Sequence, residues 1–441
     1  MSIANEITRL QNAKADIKSS IENKGVTVPS SAKLDGYSDY IDAIQSGGVS
    51  AEKKQINFID YDGTILHSYT KAEIEAMTAE SELPANPSHD GLVAQGWNWT
   101  LAQIKSQLTS APTGDVWVGQ MYITESGDTE IDVEFPGSAR LSPYLGFAVN
   151  GTATIDWGDG SAVDTVTGAS ETTQKFTQHT YSATGNYTIK IHLVSGTAAF
   201  YMSSNNHLLS KQTGSHNTNR VYSNCVQAVR LGNSFKIGSN GIAYCASVKY
   251  VTLPRSITSL GESSFRYCYS LVSMTIPSGV TSIGDSTIEY CSSLKSVAVP
   301  ANVTNLGSRT FQNCGSIRSI TIPSGVTSIK SYAVGSCYAL ASTIIIPSGA
   351  TSIENNAFAY SYTFASLTIP STVTSIGTNA FNSCSGVAEY HIKPTTPPTL
   401  ANTNAFSGIP SDCIIYVPSA SLNAYKTESN WSTYASYMQG E

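Results

Sequence analysis

Beyond about residue 225 the chain repeats one pattern of apolar and polar positions. An apolar residue followed by proline recurs at Pro254, Pro277, Pro300, Pro323, Pro347 and Pro370, at intervals of 23, 23, 23, 24 and 23 residues. A second apolar position keeps the same phase: Ile242, Phe265, Ile288, Phe311, Val334, Phe358 and Phe381. Three residues after each stands Cys245, Cys268, Cys291, Cys314, Cys337, Ser361 or Cys384. Each unit carries two short strand patterns, as in residues 319–323 and 326–329, and the first stops at a proline that cannot extend a ladder. The Phe-x-x-Cys stretch reads as one turn of helix. No unit can bury these apolar positions alone, whereas stacked units can, so the pattern predicts a solenoid with a continuous core. The single extra residue falls near residues 341–343, where a bulge would absorb it.

The first half is patterned differently. Ile3, Ile7, Leu10, Lys14, Ile17 and Ile21 are spaced 4, 3, 4, 3, 4, a heptad seam with one polar position that ends at Gly25. It predicts a short oligomerising or docking helix, a possible trimer; the alternative is an amphipathic helix lying on its own protein. A second helix is expected over residues 37–44, before the linker Ser46-Gly47-Gly48. Residues 55–70 read as a hairpin around Asp62-Gly63. Thr70 and Thr100 are placed to cap helices over residues 71–79 and 101–108. Trp97 and Trp99 precede the second of these and are expected to pack against core or a neighbouring domain. Residues 119–200 read as strands with turn signals.

Charge and composition sharpen the division. The 441 residues carry a formal charge of −7, yet residues 1–200 hold 12 basic and 24 acidic groups, and residues 201–441 hold 13 and 8. Serine and threonine number 63 and 45, while charged residues are only 13%, which suits outward positions of β units rather than helices. The acidic balance argues against a nucleic-acid partner. No apolar run approaches the about 18 residues of a membrane span, and the N-terminus lacks a signal-peptide apolar region, so synthesis in the cytoplasm without membrane insertion is expected.

Three resemblances carry this further. The motif Thr-Ile-Pro-Ser-Gly-Val-Thr-Ser-Ile at 321–329 and its five partners closely resemble the BspA-type leucine-rich repeats, over roughly residues 225–392. An edge unit stands at 225–232, and the tail 393–441, with Tyr425 and Trp431, resembles that family's C-terminal cap. Trp157-Gly158-Asp159-Gly160, His179-Thr180-Tyr181 and Gly185-Asn186-Tyr187 resemble a PKD-type β-sandwich, which implies a spacing module. Gly25-Val26-Thr27-Val28 and Lys33-Leu34-Asp35-Gly36-Tyr37 resemble the starts of tail-associated structural proteins of phages infecting gut Firmicutes. The expected fold is multidomain and mainly β: short N-terminal helices, a PKD-like β-sandwich, then a leucine-rich repeat solenoid with a C-terminal cap. The expected divisions are 1–48 (helical docking), 49–118 (mixed α/β connector), 119–200 (sandwich), 201–240 (solenoid edge), 241–392 (solenoid) and 393–441 (cap).

The chemistry-bearing residues are few. Eight cysteines invite a disulfide reading, but six share one repeat phase, which a file of buried free thiols explains. No paired Cys or His spacing indicates a metal, and no cofactor is expected. Asp60-Tyr61-Asp62-Gly63-Thr64 resembles the haloacid-dehalogenase nucleophile motif, but the following 90 residues lack the βα alternation such an enzyme needs. A non-enzymatic chain is therefore expected. The remaining candidate is a surface. Tyr244, Tyr267, Tyr290 and Tyr360 precede the repeat cysteine position, and Tyr269, Tyr338 and Tyr362 follow it. Tyrosines at one phase form a column, suited either to recognition or to a half-buried structural ladder. Together these features imply a phage virion adhesin or receptor-binding protein in a tail fibre or baseplate. Residues Ile3, Ile7, Leu10, Ile17 and Ile21 would dock it to other virion proteins, and the solenoid would meet a host cell-surface glycan or protein. A bacterial or prophage-derived surface adhesin and a purely structural decoration protein are the alternatives.

Overall fold

A computed structural model describes residues 55–441 apart from 111–114, 203–207, 211–219, 341–343 and 364–365. The N-terminal seam (Ile3, Ile7, Leu10, Ile17, Ile21) lies outside the described residues. The described chain is mainly β with few helices, and none of its helices is long and apolar enough to cross a membrane.

The connector opens with the expected hairpin, β1 (Gln55–Ile59) against β2 (Ile65–Thr70). Gly63, at φ +88°, makes the turn, a conformation costly for any residue with a Cβ. Thr70 caps α1 (Lys71–Ala76) in a reciprocal capping box with Glu73. Strand β3 (Leu92–Trp97) leads to α2 (Leu101–Ser110), whose first turn is closed by mutual hydrogen bonds between Thr100 and Gln103. Strand β4 (Val116–Thr124) completes a sheet of order β2-β1-β4-β3. Ile56, Phe58, Trp97, Ile104 and Val118 form a core of their own beneath the helices.

Four long strands follow: β5 (Thr129–Phe135), β6 (Tyr144–Asp156), β7 (Asp164–Gln178) and β8 (Gly185–Phe200). Short strand β9 (Leu209–Ser210) pairs with β6. Strand β10 (Val226–Arg230) lies antiparallel to β5 on one side and parallel to β12 (Tyr250–Thr252) on the other. Strand β11 (Phe235–Ile237) joins β8. All these strands therefore belong to one sheet that runs into the solenoid, and one hydrophobic core continues from Ile131 to Met438. The join closes what would otherwise be an open edge of the first rung.

A regular rung turns seven apolar side chains inward; in one, Phe265, Cys268, Leu271, Met274, Ile276, Val280 and Ile283 are all fully buried. Two rows of short parallel strands stack with the sequence period, Ser273 opposite Ser296 and Leu260 opposite Ile283. The pairing Ser328–Ser352 shows that the extra residue is absorbed between them. Residues 319–322, expected as a strand, are not paired as one, and both rows break there. The rung that follows carries the extra residue, so the regular register is lost on that side.

The Phe-x-x-Cys stretch is not a helical turn. Its N–H groups alternate: those of Ser263, Phe265 and Tyr267 reach the carbonyls of Asp285, Thr287 and Glu289 in the next rung, and those of Ser264, Arg266 and Cys268 bond three residues back. A helix would direct them all inside one rung. The solenoid thus has a third hydrogen-bonded side, made possible by left-handed residues at two positions per rung, such as Ser263 (φ 55°) and Tyr267 (φ 63°).

The C-terminal end is closed by aromatic side chains that answer backbone carbonyls. Tyr425 Oη donates to Pro394 O and Trp431 Nε1 to Pro398 O, each at 2.7 Å.

Candidate functional site

The tyrosine positions sit on the third side of the rungs. Tyr244, Tyr267, Tyr290 and Tyr360 occupy the second left-handed position, with φ between 62° and 65°. That conformation costs a residue with a Cβ roughly 1–2 kcal/mol, least for Asn, which fills it at 313. It is retained because each of these N–H groups completes the third-side ladder; Tyr267 N lies 2.9 Å from Glu289 O.

The seven tyrosines do not form one surface. Tyr244, Tyr267 and Tyr290 stack ring on ring with centroids 4.8 Å apart at both steps. This equals the spacing between strands, so both faces of Tyr267 are closed by its neighbours. Arg266 lies over the same ring at 4.7 Å and pairs with the buried Glu289 at 2.6 Å. This column is a structural spine whose middle ring is stacked on both sides. Burial raises the Tyr267 hydroxyl pKa above its ordinary value.

The other four rings are open. Tyr269, Tyr338, Tyr360 and Tyr362 are 44, 46, 43 and 38% exposed. Tyr269 leans on Tyr267 at 5.9 Å. Tyr338 and Tyr362 stack with each other alone, 5.6 Å apart and 15° from parallel. Tyr360 lies between Ser336 and Ser383 in its column.

A second surface went unrecognised in the sequence: the connector lies on the first-strand row of the early rungs. In this row the residue before a proline turns its carbonyl to the next rung; after Pro370 a backbone N–H answers, Lys393 N donating to Ile369 O at 3.0 Å, but in the earlier rungs the answering position is itself a proline. Pro300 and Pro323 have no N–H to give to Ile276 and Val299. Asn98 Nδ2 bonds Ile276 O at 2.9 Å and Ala298 O at 3.0 Å, and Trp99 Nε1 bonds Val299 O at 2.9 Å. Trp117 Nε1 bonds Ser319 Oγ, and Thr321 Oγ1 bonds Asp115 O at 2.9 Å. A Cβ at Gly119 would lie inside the Thr275 side chain, so β4 approaches only because glycine stands there. The tryptophans flagged as packing residues do pack: Trp99 against the solenoid, and Trp97 with its Nε1 on Pro84 O.

The remaining chemical candidates are occupied structurally. Asp60 is buried and accepts hydrogen bonds from Tyr122 Oη at 2.7 Å and Tyr61 N at 2.8 Å, and pairs with His89 Nε2 at 2.6 Å. Asp62 accepts from Thr64 N within its own turn. Trp157 is buried with Nε1 on Asp164, and Tyr181 Oη bonds Trp157 O. All eight cysteines are free and buried. Burial pushes the Cys337 thiol up to about 12, far from a reactive thiolate. The repeat thiols are also donors: Cys314 Sγ reaches Ile288 O at 3.0 Å, and Ser361 Oγ makes the same bond to Val334 O at 2.9 Å. Among the described residues no cluster of His, Cys, Asp and Glu is arranged to hold a metal.

Parallel rungs with a 23-residue period, leucine-type inward positions and a hydrogen-bonded turn side define a leucine-rich repeat β-solenoid. The profile of the BspA-type leucine-rich repeat region, in six copies, matches residues 195–317 and 304–426, together more than half of the chain, and the chain belongs to that family. Solved structures with similarity include a leucine-rich repeat protein from Bacteroides ovatus, at 23% identity over 44% of this chain and 50% of that one, with a TM-score of 0.33. A leucine-rich repeat protein of T. pallidum is 24% identical over 36% of this chain and 72% of that one, TM-score 0.33. A leucine-rich cell surface protein from Faecalibacterium prausnitzii is 24% identical over 50% of this chain and 80% of that one, TM-score 0.29. The chain thus spans half the length of the Bacteroides protein. No curated protein matches it.

Proposed function

We propose that this chain is a non-enzymatic adhesin that binds cell surfaces through the tyrosine-bearing side of its solenoid. One observation carries the reading: tyrosines 269, 338, 360 and 362 are exposed on a side of the solenoid that backbone hydrogen bonds hold rigid. Exposed rings on a rigid frame bind with little loss of side-chain freedom. The aspartate motif that resembles a phosphatase nucleophile is tied up within the connector, which fits a non-catalytic role.

In the finer reading the particle is a phage virion. Residues 1–48 dock the chain to other virion proteins, as a trimer through the heptad seam, and residues 119–200 act as a PKD-like spacer. The resemblance of the N-terminal motifs to phage tail-associated proteins supports this placement. The full chain is expected to attach to cells of gut Firmicutes, and particles carrying it to label with antibody at their tails in electron microscopy. Attachment without tail labelling would favour a bacterial or prophage-derived surface adhesin. Tail labelling without attachment to any host envelope would favour a decoration protein.

A further inference from the structure

Three of the tyrosines stand outside the closed column. In the phase of Tyr338 and Tyr362, the rung before carries Gly315 and the rung after carries Ser385. No further ring therefore extends this stack in its own column. Tyr360 has Ser336 on one side and Ser383 on the other. It holds the left-handed conformation (φ 62°) without the ring stack that accompanies it at Tyr267. A serine or asparagine there would complete the same backbone ladder, as both do in neighbouring rungs.

The turn stretches that carry these rings have no charged side chains of their own. Residues 313–317, 336–340, 359–363 and 382–387 contain no Asp, Glu, Lys, Arg or His. They supply instead the hydroxyls of Thr363 and Ser383 and the side-chain amide of Asn382. Thr363 Oγ1 bonds Tyr338 O at 3.1 Å and Leu340 O at 2.8 Å, which fixes the turn that carries Tyr338. The early column differs, with Arg266 over Tyr267 and Glu289 beside it.

An open aromatic face accepts the C–H face of a pyranose ring, and flanking hydroxyls and amides match its hydroxyl groups. These turn stretches hold no Lys, Arg or His, so their own side chains offer nothing to pair with the carboxylate or sulfate of an acidic sugar. We infer that Tyr338, Tyr360 and Tyr362 form a binding site for a neutral saccharide of the cell surface. This inference rests on the adhesion reading and narrows its ligand and its place on the solenoid.

The test applies the full chain to immobilised neutral oligosaccharides of hexose and N-acetylhexosamine, with sialylated and sulfated ones beside them, and to intact cells. Neutral sugars are expected to bind. Replacing Tyr338→Ser, Tyr360→Ser and Tyr362→Ser together is expected to weaken binding at least tenfold with an unchanged melting temperature. Replacing Tyr244→Asn, Tyr267→Asn and Tyr290→Asn together should leave sugar binding within twofold. Should the first triple variant melt early, Tyr360→Ser alone is expected to lose several-fold. Cell attachment with no binding to neutral sugars, or sugar binding that these serine variants leave intact, overturns the saccharide site and spares the adhesion reading. Attachment abolished by protease but not by periodate treatment of the cells assigns a protein receptor and likewise overturns it. No attachment to any cell overturns both.

Discussion

The early rungs and the late rungs of the solenoid share one repeat and meet different surroundings. In the early rungs the outward strand positions are Ser273, Thr275, Ser296, Ala298, Ser319 and Thr321, and all are buried under the connector. In the late rungs the same positions are Ser366, Thr368, Glu389, His391, Ile414 and Tyr416, and all are half-exposed. The turn side changes in step. The early tyrosines 244, 267 and 290 are stacked into one column, with Tyr269 open beside it, and the late ones leave ring faces open. Outward residues are all small where another backbone must approach, whereas the row admits Glu389, His391 and Tyr416 where water is the neighbour. The repeat fixes only the inward residues, so its outward residues record what each rung touches.

Substitutions in the connector contact should separate the two regions most strongly. Gly119→Val places a branched side chain into Thr275 and is expected to cost about 2–3 kcal/mol. Thermal unfolding should show it, with early rungs losing amide protection before late ones. Asn98→Ala leaves the carbonyls of Ile276 and Ala298 and the N–H of Gly119 without this partner. It is expected to cost about 1–3 kcal/mol. Trp99→Phe keeps a smaller aromatic ring, loses one hydrogen bond and leaves a void, for about 1–3 kcal/mol by chemical denaturation. In the late rungs His391→Ala, on the open face, should change stability by less than about 0.5 kcal/mol. An equal loss at Asn98 and His391 would break the comparison.

The smallest effect is electrostatic. Glu441 is partly buried, which raises its pKa, but Lys393 at 2.7 Å and His391 at 2.9 Å outweigh this and hold it below the usual carboxylate range. Its folded pKa is depressed, so its contribution to stability is present above the ordinary glutamate value. It is lost as pH falls through the folded value. Acid titration of unfolding should show this small step at the C-terminal end of the solenoid, and Glu441→Gln should remove it. The connector contact, built from neutral hydrogen bonds, should show no such step.

The sequence made the period, the inward positions, the hairpin and both helix caps of the connector legible, because each depends on near neighbours or on strict recurrence. The turn side was misread as helical, since apolar residues three apart suit either form. The alternating direction of its N–H groups appears only when rungs stack. The cysteine phase read correctly as buried, but its donor role showed only in the carbonyls it meets. The column of tyrosines was visible, whereas its division into closed and open rings depends on whether the next rung presents tyrosine, serine or glycine. The contact through Asn98 and Trp99 joins residues about 200 positions apart. Its only trace in the sequence is the change from Ser, Thr and Ala to Glu, His and Tyr along one outward row.

The account turns on which tyrosines meet the target. Hydroxyl-radical footprinting of the full chain, free and bound to cell envelopes, tests it most directly. Tyr338, Tyr360 and Tyr362 are expected to gain protection on binding, while Tyr244, Tyr267 and Tyr290 and the strand row beneath the connector stay unchanged. Unchanged labelling of the three late tyrosines on a chain that has demonstrably bound would contradict it.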